Sequence, residues 1–311
     1  SADMLAKEGE ESVNSLLTKK LADFVRTLDP TRPITAGCNE PNPANHLFRS
    51  GALDIIGYNY HNVNIPEVPK NFPGKPFIIT ESNSALMTRG YYRMPSDQMF
   101  IWPERWDKPF YDSTFACSSY ENCHVPWGNT HEESLLLIKK NDFISGQYVW
   151  TGFDYIGEPT PYGWPARSSY FGIVDLAGFP KDVYYLYQSE WTDKQVLHLF
   201  PHWNWTEGQD VDMWCYYNQA DEVELFVNGK SQGIKSKDDN HLHVSWRVKY
   251  EPGSVKVVAR KAGTVVAEKE IRTAGTPSMI RLTPDRNILK ADGTDLSFVT
   301  VEILDAEGNI C

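Results

Sequence analysis

Lys75-Pro-Phe-Ile-Ile-Thr-Glu-Ser-Asn83 is the stretch on which the reading of this sequence turns. Its apolar run, Phe77-Ile79, ends directly in a carboxylate, and an ionised Glu at the edge of an apolar core is costly unless it is paired or faces a polar pocket. One reading is that Glu81 merely starts the next loop or caps a helix. The other rests on α/β barrels, whose catalytic side chains project from the C-terminal ends of the strands. Two further strand ends favour the second: Tyr58-Asn59-Tyr60-His61 and Val149-Trp150-Thr-Gly-Phe-Asp154. Aromatic and polar residues together suit a sugar ring, whose C–H face stacks on indole while its hydroxyls bond amides and carboxylates. For Trp150 a core position competes with that of a sugar platform.

Outward from this strand, the chain alternates short apolar strands with helices, the pattern of a parallel sheet buried on both faces. Val13, Leu16, Leu17, Leu21, Phe24, Val25 and Leu28 recur at helical spacing within residues 1–28, which Asp29-Pro30 ends. Strands are expected at Ile34-Ala36, Leu53-Tyr58, Phe77-Ile79 and Gly146-Trp150, a helical turn at Ala44-Arg49, and helices at Glu132-Phe143 and Lys181-Trp191. After Trp191 the texture changes to alternating extended segments at Val211-Tyr217, Val223-Val227, His241-Val248, Ser254-Arg260 and Thr264-Thr273, with Asn228-Gly229 and Ala262-Gly263 at hairpin positions. This reads as a β-sandwich. Beyond Ala274-Gly-Thr-Pro277 a second β pattern begins, with strands at Met279-Thr283 and Leu296-Leu304.

The 311 residues exceed one ordinary domain, and 10 Trp, 16 Tyr and 14 Phe exclude a disordered chain. Thirty Lys and Arg against 41 Asp and Glu give a net charge of −11, which repels phosphate backbones, so no nucleic acid is expected as a partner. No run approaches the ~18 apolar residues of a membrane span. The five Cys are scattered; Cys117-x5-Cys123-His124 lacks zinc-knuckle spacing, leaving a loop disulfide or two free thiols. Both ends read as internal to a longer chain.

The resemblance now becomes specific. Asp29-Pro-Thr-Arg-Pro33, Asp54-Ile-Ile-Gly-Tyr-Asn-Tyr60, Pro76-Phe-Ile-Ile-Thr-Glu81 and Gly146-Gln-Tyr-Val-Trp-Thr-Gly-Phe-Asp-Tyr-Ile-Gly-Glu-Pro159, in this order, resemble the second half of the catalytic barrel of glycoside hydrolase family 2 β-galactosidases. Phe200-Pro-His-Trp-Asn-Trp205 and Glu222-Val-Glu-Leu-Phe-Val-Asn-Gly-Lys230 resemble the immunoglobulin-like domain that follows it. The resemblance implies α/β plus all-β architecture: the second half of a (β/α)8 TIM barrel over 1–191, an immunoglobulin-like β-sandwich over 192–274, and the start of a second β-sandwich over 275–311.

It also implies site roles. Glu81 matches the nucleophile that closes the seventh strand, and Tyr60 the phenol that bonds it, with Asn59 and His61 beside it. Trp150 matches the sugar platform of the eighth strand, and Asp154 follows in the same motif. Asn39-Glu40 imitates the Asn-Glu of the acid/base, yet it follows a segment that resembles the fifth strand, not the fourth. The acid/base is therefore expected upstream, Asn39 is grouped with the substrate-binding residues, and this chain alone is expected to be inactive. The implied reaction is retaining hydrolysis of β-galactosides, which needs no cofactor, on an oligosaccharide or glycan substrate. A homo-oligomer of the intact enzyme and a periplasmic or secreted location are expectations, with the cytoplasm as the alternative. The runner-up activity is that of a β-glucuronidase, disfavoured because its Asn-x-Lys signature is absent from residues 81–150. Outside the enzymes stands a carbohydrate-binding or scaffold protein, which exposed aromatics at Trp203-Asn204-Trp205 would favour.

Overall fold

The computed structural model describes residues 4–5 and 12–311, so the start of the helix expected over 1–28 lies outside the described residues. The chain divides into two compact units. One comprises Ser1–Gln188 with Asp238–Leu242, the other Ser189–Lys237 with His243–Cys311.

The first unit is built on a parallel sheet in the order β1 (Ile56–Asn59), β2 (Phe77–Asn83), β5 (Ile144–Trp150). Ile56 lies opposite Phe77, Asn59 opposite Glu81, and Asn83 opposite Trp150, so all three strands finish at one edge of the sheet. Phe77 and Ile79 have no exposed surface and join Ile56, Tyr58, Ile65, Val68 and Ile144 in one core cluster. Burial of a side chain of this size contributes about 1.5–3 kcal/mol, which is why this short run forms the central strand. The covering elements are α2 (His46–Arg49), a 3-10 turn at Asn62–Glu67, α3 (Val68–Asn71) and α4 (His131–Lys139). The start of α4 is fixed by a reciprocal cap, in which the Thr130 hydroxyl accepts from the Glu133 N–H and the Glu133 carboxylate accepts from the Thr130 N–H. Between β2 and α4 a long loop carries the short pair β3 (Phe100–Ile101) and β4 (Cys123–His124) over a second cluster containing Leu86, Cys117, Cys123, Val125, Tyr162 and Phe171.

Two expectations are corrected here. Ile34-Ala36 forms no strand; residues 34–38 run beside β1, with Ile34 O accepting from the Asp54 and Ile55 amides and Cys38 O from the Asn59 amide. This close approach depends on Gly57, where a Cβ would come 2.6 Å from Ala36 O. The helix α1 (Val13–Leu28) forms, but Val13, Leu16, Leu17, Leu21, Phe24, Val25 and Leu28 are all exposed, while Ser15 and Ala22 are buried. Ser15 faces inward because its hydroxyl bonds His46 O at 3.0 Å.

The helix α5 (Asp182–Trp191) leads into the second unit, which is antiparallel throughout. One sheet orders β10 (Val244–Lys249), β7 (Asp210–Tyr217) and β6 (Leu197–Phe200). Another orders β12 (Thr264–Arg272), β11 (Ser254–Lys261), β8 (Glu222–Val227) and β9 (Lys230–Lys235). Asn228-Gly229 and Ala262-Gly263 turn two of the hairpins with positive φ at both residues, as two-residue turns of this hand require. A last hairpin pairs β13 (Met279–Pro284) with β14 (Val299–Leu304). Among the described residues no helix is long and apolar enough to cross a membrane, no group of His, Cys, Asp and Glu could hold a metal ion, and all five cysteines are free thiols.

Candidate active site

The ends of β1, β2 and β5 converge on Glu81. After Asn59 the chain turns through Tyr60 and His61, both at φ 57°, while the Tyr60 amide bonds Glu81 O at 2.7 Å. That turn returns the Tyr60 ring across the sheet edge, and its hydroxyl donates to Glu81 Oε2 at 2.8 Å. Ser84 Oγ donates to the same phenol oxygen at 3.0 Å. Burial, followed by the Glu81 bond and the charges of Glu81 and Glu158, pushes the Tyr60 phenol well above its usual range, with the Ser84 bond opposing. It is therefore a protonated donor at neutral pH.

The neighbours of this pair are held from behind. Asn59 is buried, with its Oδ1 accepting from Thr80 Oγ1 at 2.6 Å. Asn83 Nδ2 donates to Ser82 Oγ at 2.8 Å and to Tyr187 Oη at 3.0 Å, and Tyr187 Oη lies 2.7 Å from His131 Nδ1. His131 has no exposed surface, and burial, aided by the Lys181 charge, draws its pKa down to about 3. Gly128 lets the loop before α4 press on this strand end, since a Cβ there would meet Asn83 O at 2.3 Å.

Trp150 ends β5 half-buried, next to a cis peptide, and meets Tyr155 edge-on with ring centroids 5.9 Å apart at 82°. Tyr155 Oη donates to Glu158 Oε2 at 2.5 Å.

The other residues singled out by sequence divide. His61 Nε2 lies 2.6 Å from Asn39 O, which ties the exposed Asn39 to the turn after β1. Asn39 and Glu40 line a cleft of about 320 Å³ with Gly37, Cys38, Asn45 and His46. Glu40 Oε1 accepts from the Asn42 amide within its own loop. Asp154 is engaged elsewhere: Oδ2 pairs with Lys181 Nζ at 2.8 Å, and Oδ1 accepts from the Gly172 amide at 2.8 Å and Ser169 Oγ at 3.3 Å. Lys181 Nζ also donates to Met87 O at 2.7 Å and Tyr170 O at 3.2 Å, so each of its three N–H bonds has an acceptor. Burial pushes Asp154 up and Lys181 down, and each charge opposes the shift of the other. The pair braces the loop after β5. In the second unit, Trp203 is buried with its indole N–H on Glu251 O, and Trp205 stacks on His202, so the Trp203-Asn204-Trp205 segment offers no open pair of aromatic faces.

Sequence reasoning passed over Ser84, Tyr155 and Glu158. The last two stand inside the quoted motif 146–159, where the signal was a Tyr and a Glu three residues apart in a loop following the aromatic strand end.

Residues 208–267 match the model of a domain of unknown function (DUF4982), and residues 280–311 match that of glycoside hydrolase family 2 C-terminal domain 5. The β-galactosidase BoGH2A of Bacteroides ovatus is 84% identical over all of this chain, which covers 36% of that protein. A β-glucuronidase of Formosa agariphila is 24% identical over 94% of this chain and 28% of its own length. A crystal structure of a β-glycosidase from Bacteroides vulgatus superposes with a TM-score of 0.81 at 32% identity, over 95% of this chain and 39% of that one. A family 2 member from Bacteroides cellulosilyticus gives a TM-score of 0.73 at 26% identity, over 97% and 38%. The chain thus spans between a quarter and two fifths of the length of these relatives. With a β-galactosidase 84% identical over all of this chain, and a family 2 C-terminal domain matched at residues 280–311, the chain belongs to glycoside hydrolase family 2.

Proposed function

We propose that this chain carries the nucleophile and part of the sugar pocket of a retaining β-galactosidase. The observation that carries the reading is the 2.8 Å bond from Tyr60 Oη to Glu81 Oε2, joining the ends of two adjacent parallel strands. The Glu81 carboxylate attacks the anomeric carbon and the leaving oxygen takes a proton from a general acid. Water then releases the glycosyl-enzyme, with that acid acting as base. Tyr60 holds one carboxylate oxygen and leaves the other for attack, Trp150 stacks on the sugar face, and Asn59, Asn39 and His61 line the hydroxyl side. Asp154 supports the pocket through Lys181. The acid/base carboxylate, about 5–5.5 Å from the nucleophile in a retaining enzyme, is assigned to a part of the relatives' length that this chain does not span; Glu40 is bound within its own loop.

In the same reading, residues 1–191 form the second half of a (β/α)8 barrel, 192–274 an immunoglobulin-like sandwich and 275–311 the start of another. The parallel order β1-β2-β5 and the two antiparallel sheets of the second unit support it. The substrate is a neutral β-galactoside, on the strength of the 84% identical relative. The test is to treat the full product of the gene with a 2-deoxy-2-fluoro-β-galactosyl fluoride and map the modified peptide. A glycosyl adduct on Glu81 is expected. An adduct on any other carboxylate overturns the assignment.

A further inference from the structure

The loop after β5 folds back on itself as a hairpin that delivers one more carboxylate to the site. Ser169 N donates to Tyr155 O at 2.7 Å, Tyr155 N to Ser169 Oγ at 3.1 Å, and Gly157 N to Arg167 O at 3.0 Å. The buried Asp154–Lys181 pair anchors its base. Glu158, at the turn from this ladder, places Oε2 on Tyr155 Oη at 2.5 Å, and the Tyr155 ring stands edge-on to the Trp150 indole. Glu158 is also among the charges that push the Tyr60 phenol up, and that phenol bonds Glu81. Glu158 is half-buried, and among the described residues no Lys, Arg or His pairs with it and Tyr155 is its hydrogen-bond partner. A half-buried carboxylate without a counter-charge has lone pairs to offer and repels a second negative charge.

We propose that Glu158 is the specificity-determining residue of the pocket: its unpaired oxygen accepts hydroxyl protons of a neutral galactosyl unit, and its charge excludes sugars that carry a carboxylate at C6. This inference rests on the reading of Glu81 as nucleophile. Because a hydrogen bond to a charged group is worth about 1.5–3 kcal/mol and one to a neutral group about 0.5–1.5 kcal/mol, replacing the carboxylate by an amide costs roughly tenfold in affinity for the transition state. Removing the negative charge relieves the repulsion of a uronide in the same step.

The experiment compares E158Q with wild type in the full product of the gene, measuring kcat/KM for p-nitrophenyl β-galactoside and p-nitrophenyl β-glucuronide, with the fluorogalactosyl label as a control. The expected result is that the galactoside-to-glucuronide ratio falls by about 10²-fold or more, while the label still lands on Glu81. An unchanged ratio with Glu81 labelled overturns the role of Glu158 alone. A label elsewhere overturns the nucleophile and this inference with it. Should E158Q fail to fold, inhibition of the wild-type enzyme reads the selectivity at C6 alone: D-galactose is expected to compete at least tenfold better than D-galacturonate, and equal competition overturns the proposal.

Discussion

Replacing Lys181 by Met tests whether Asp154 supports the pocket or touches the sugar. Lys181 Nζ has three acceptors, at 2.7, 2.8 and 3.2 Å, and its side chain is 1% exposed. Methionine fills similar space but leaves the Asp154 carboxylate, 8% exposed, with only the Gly172 amide and Ser169 Oγ, and strands the carbonyls of Met87 and Tyr170. Removing one partner of a buried ion pair costs about 3–5 kcal/mol, because the remaining charge is left uncompensated. Asp154→Asn should cost a similar amount by orphaning Lys181. The double variant should lose clearly less than the sum of the two, since a neutral pair carries no buried charge. Urea unfolding gives the three free energies, and hydrogen exchange of the amides in residues 153–175 localises the loss. In the full product of the gene, both single variants should lower kcat together with the folded fraction. A K181M variant less than about 1 kcal/mol below wild type would refute the role of the pair. A D154N variant that is fully stable yet raises KM for a galactoside tenfold would show that Asp154 reaches the sugar.

Two further outcomes are expected. Trp150→Ala should lower kcat/KM by about 10²-fold while costing well under the 3–5 kcal/mol of a fully buried Trp→Ala change; unfolding, with normal kinetics in the folded fraction, would make Trp150 a core residue. His131 is held neutral by burial, with its pKa drawn from 6.5 to about 3. The unfolded chain therefore binds the proton first, and stability falls as pH drops from about 6.5 toward 3. At about 1.4 kcal/mol per unit the loss at pH 5 is about 2 kcal/mol. Urea titrations at pH 7 and pH 5 should show this loss in wild type and not in His131→Gln; equal pH dependence in the two would refute it.

The strand Phe77-Ile79 and the carboxylate that follows were legible because an uninterrupted apolar run has few alternatives in a sheet covered on both faces. The hairpins at Asn228-Gly229 and Ala262-Gly263 were legible for a local reason, the positive φ that both residues of the turn must adopt. What escaped depends on partners distant in sequence. Residues 34–38 look like a strand but lie against β1 without joining its ladder, and β9, Lys230–Lys235, is a largely exposed polar strand with no alternation to betray it. The apolar spacing of α1 identified a helix without saying that Ser15 and Ala22 would be its buried residues. The ion pair of Asp154, expected from its motif among the sugar ligands, is hidden in the sequence because Lys181 stands 27 residues further on, in what reads as the first residue of a helix. Glu158 stands within the motif 146–159 with nothing in the sequence to give it a role, since the hairpin is what brings it to Tyr155 and so beside Trp150.

In the proposed reaction Glu81 is the group that bonds to the sugar. The most direct measurement is kcat of Glu81→Gln in the full product of the gene, on an aryl β-galactoside whose good leaving group needs little acid help. A neutral amide cannot form the glycosyl ester, so kcat should fall by several orders of magnitude. With the side chain close to its original size, the melting temperature should stay near that of wild type. A folded variant retaining more than about a tenth of wild-type kcat would contradict the account.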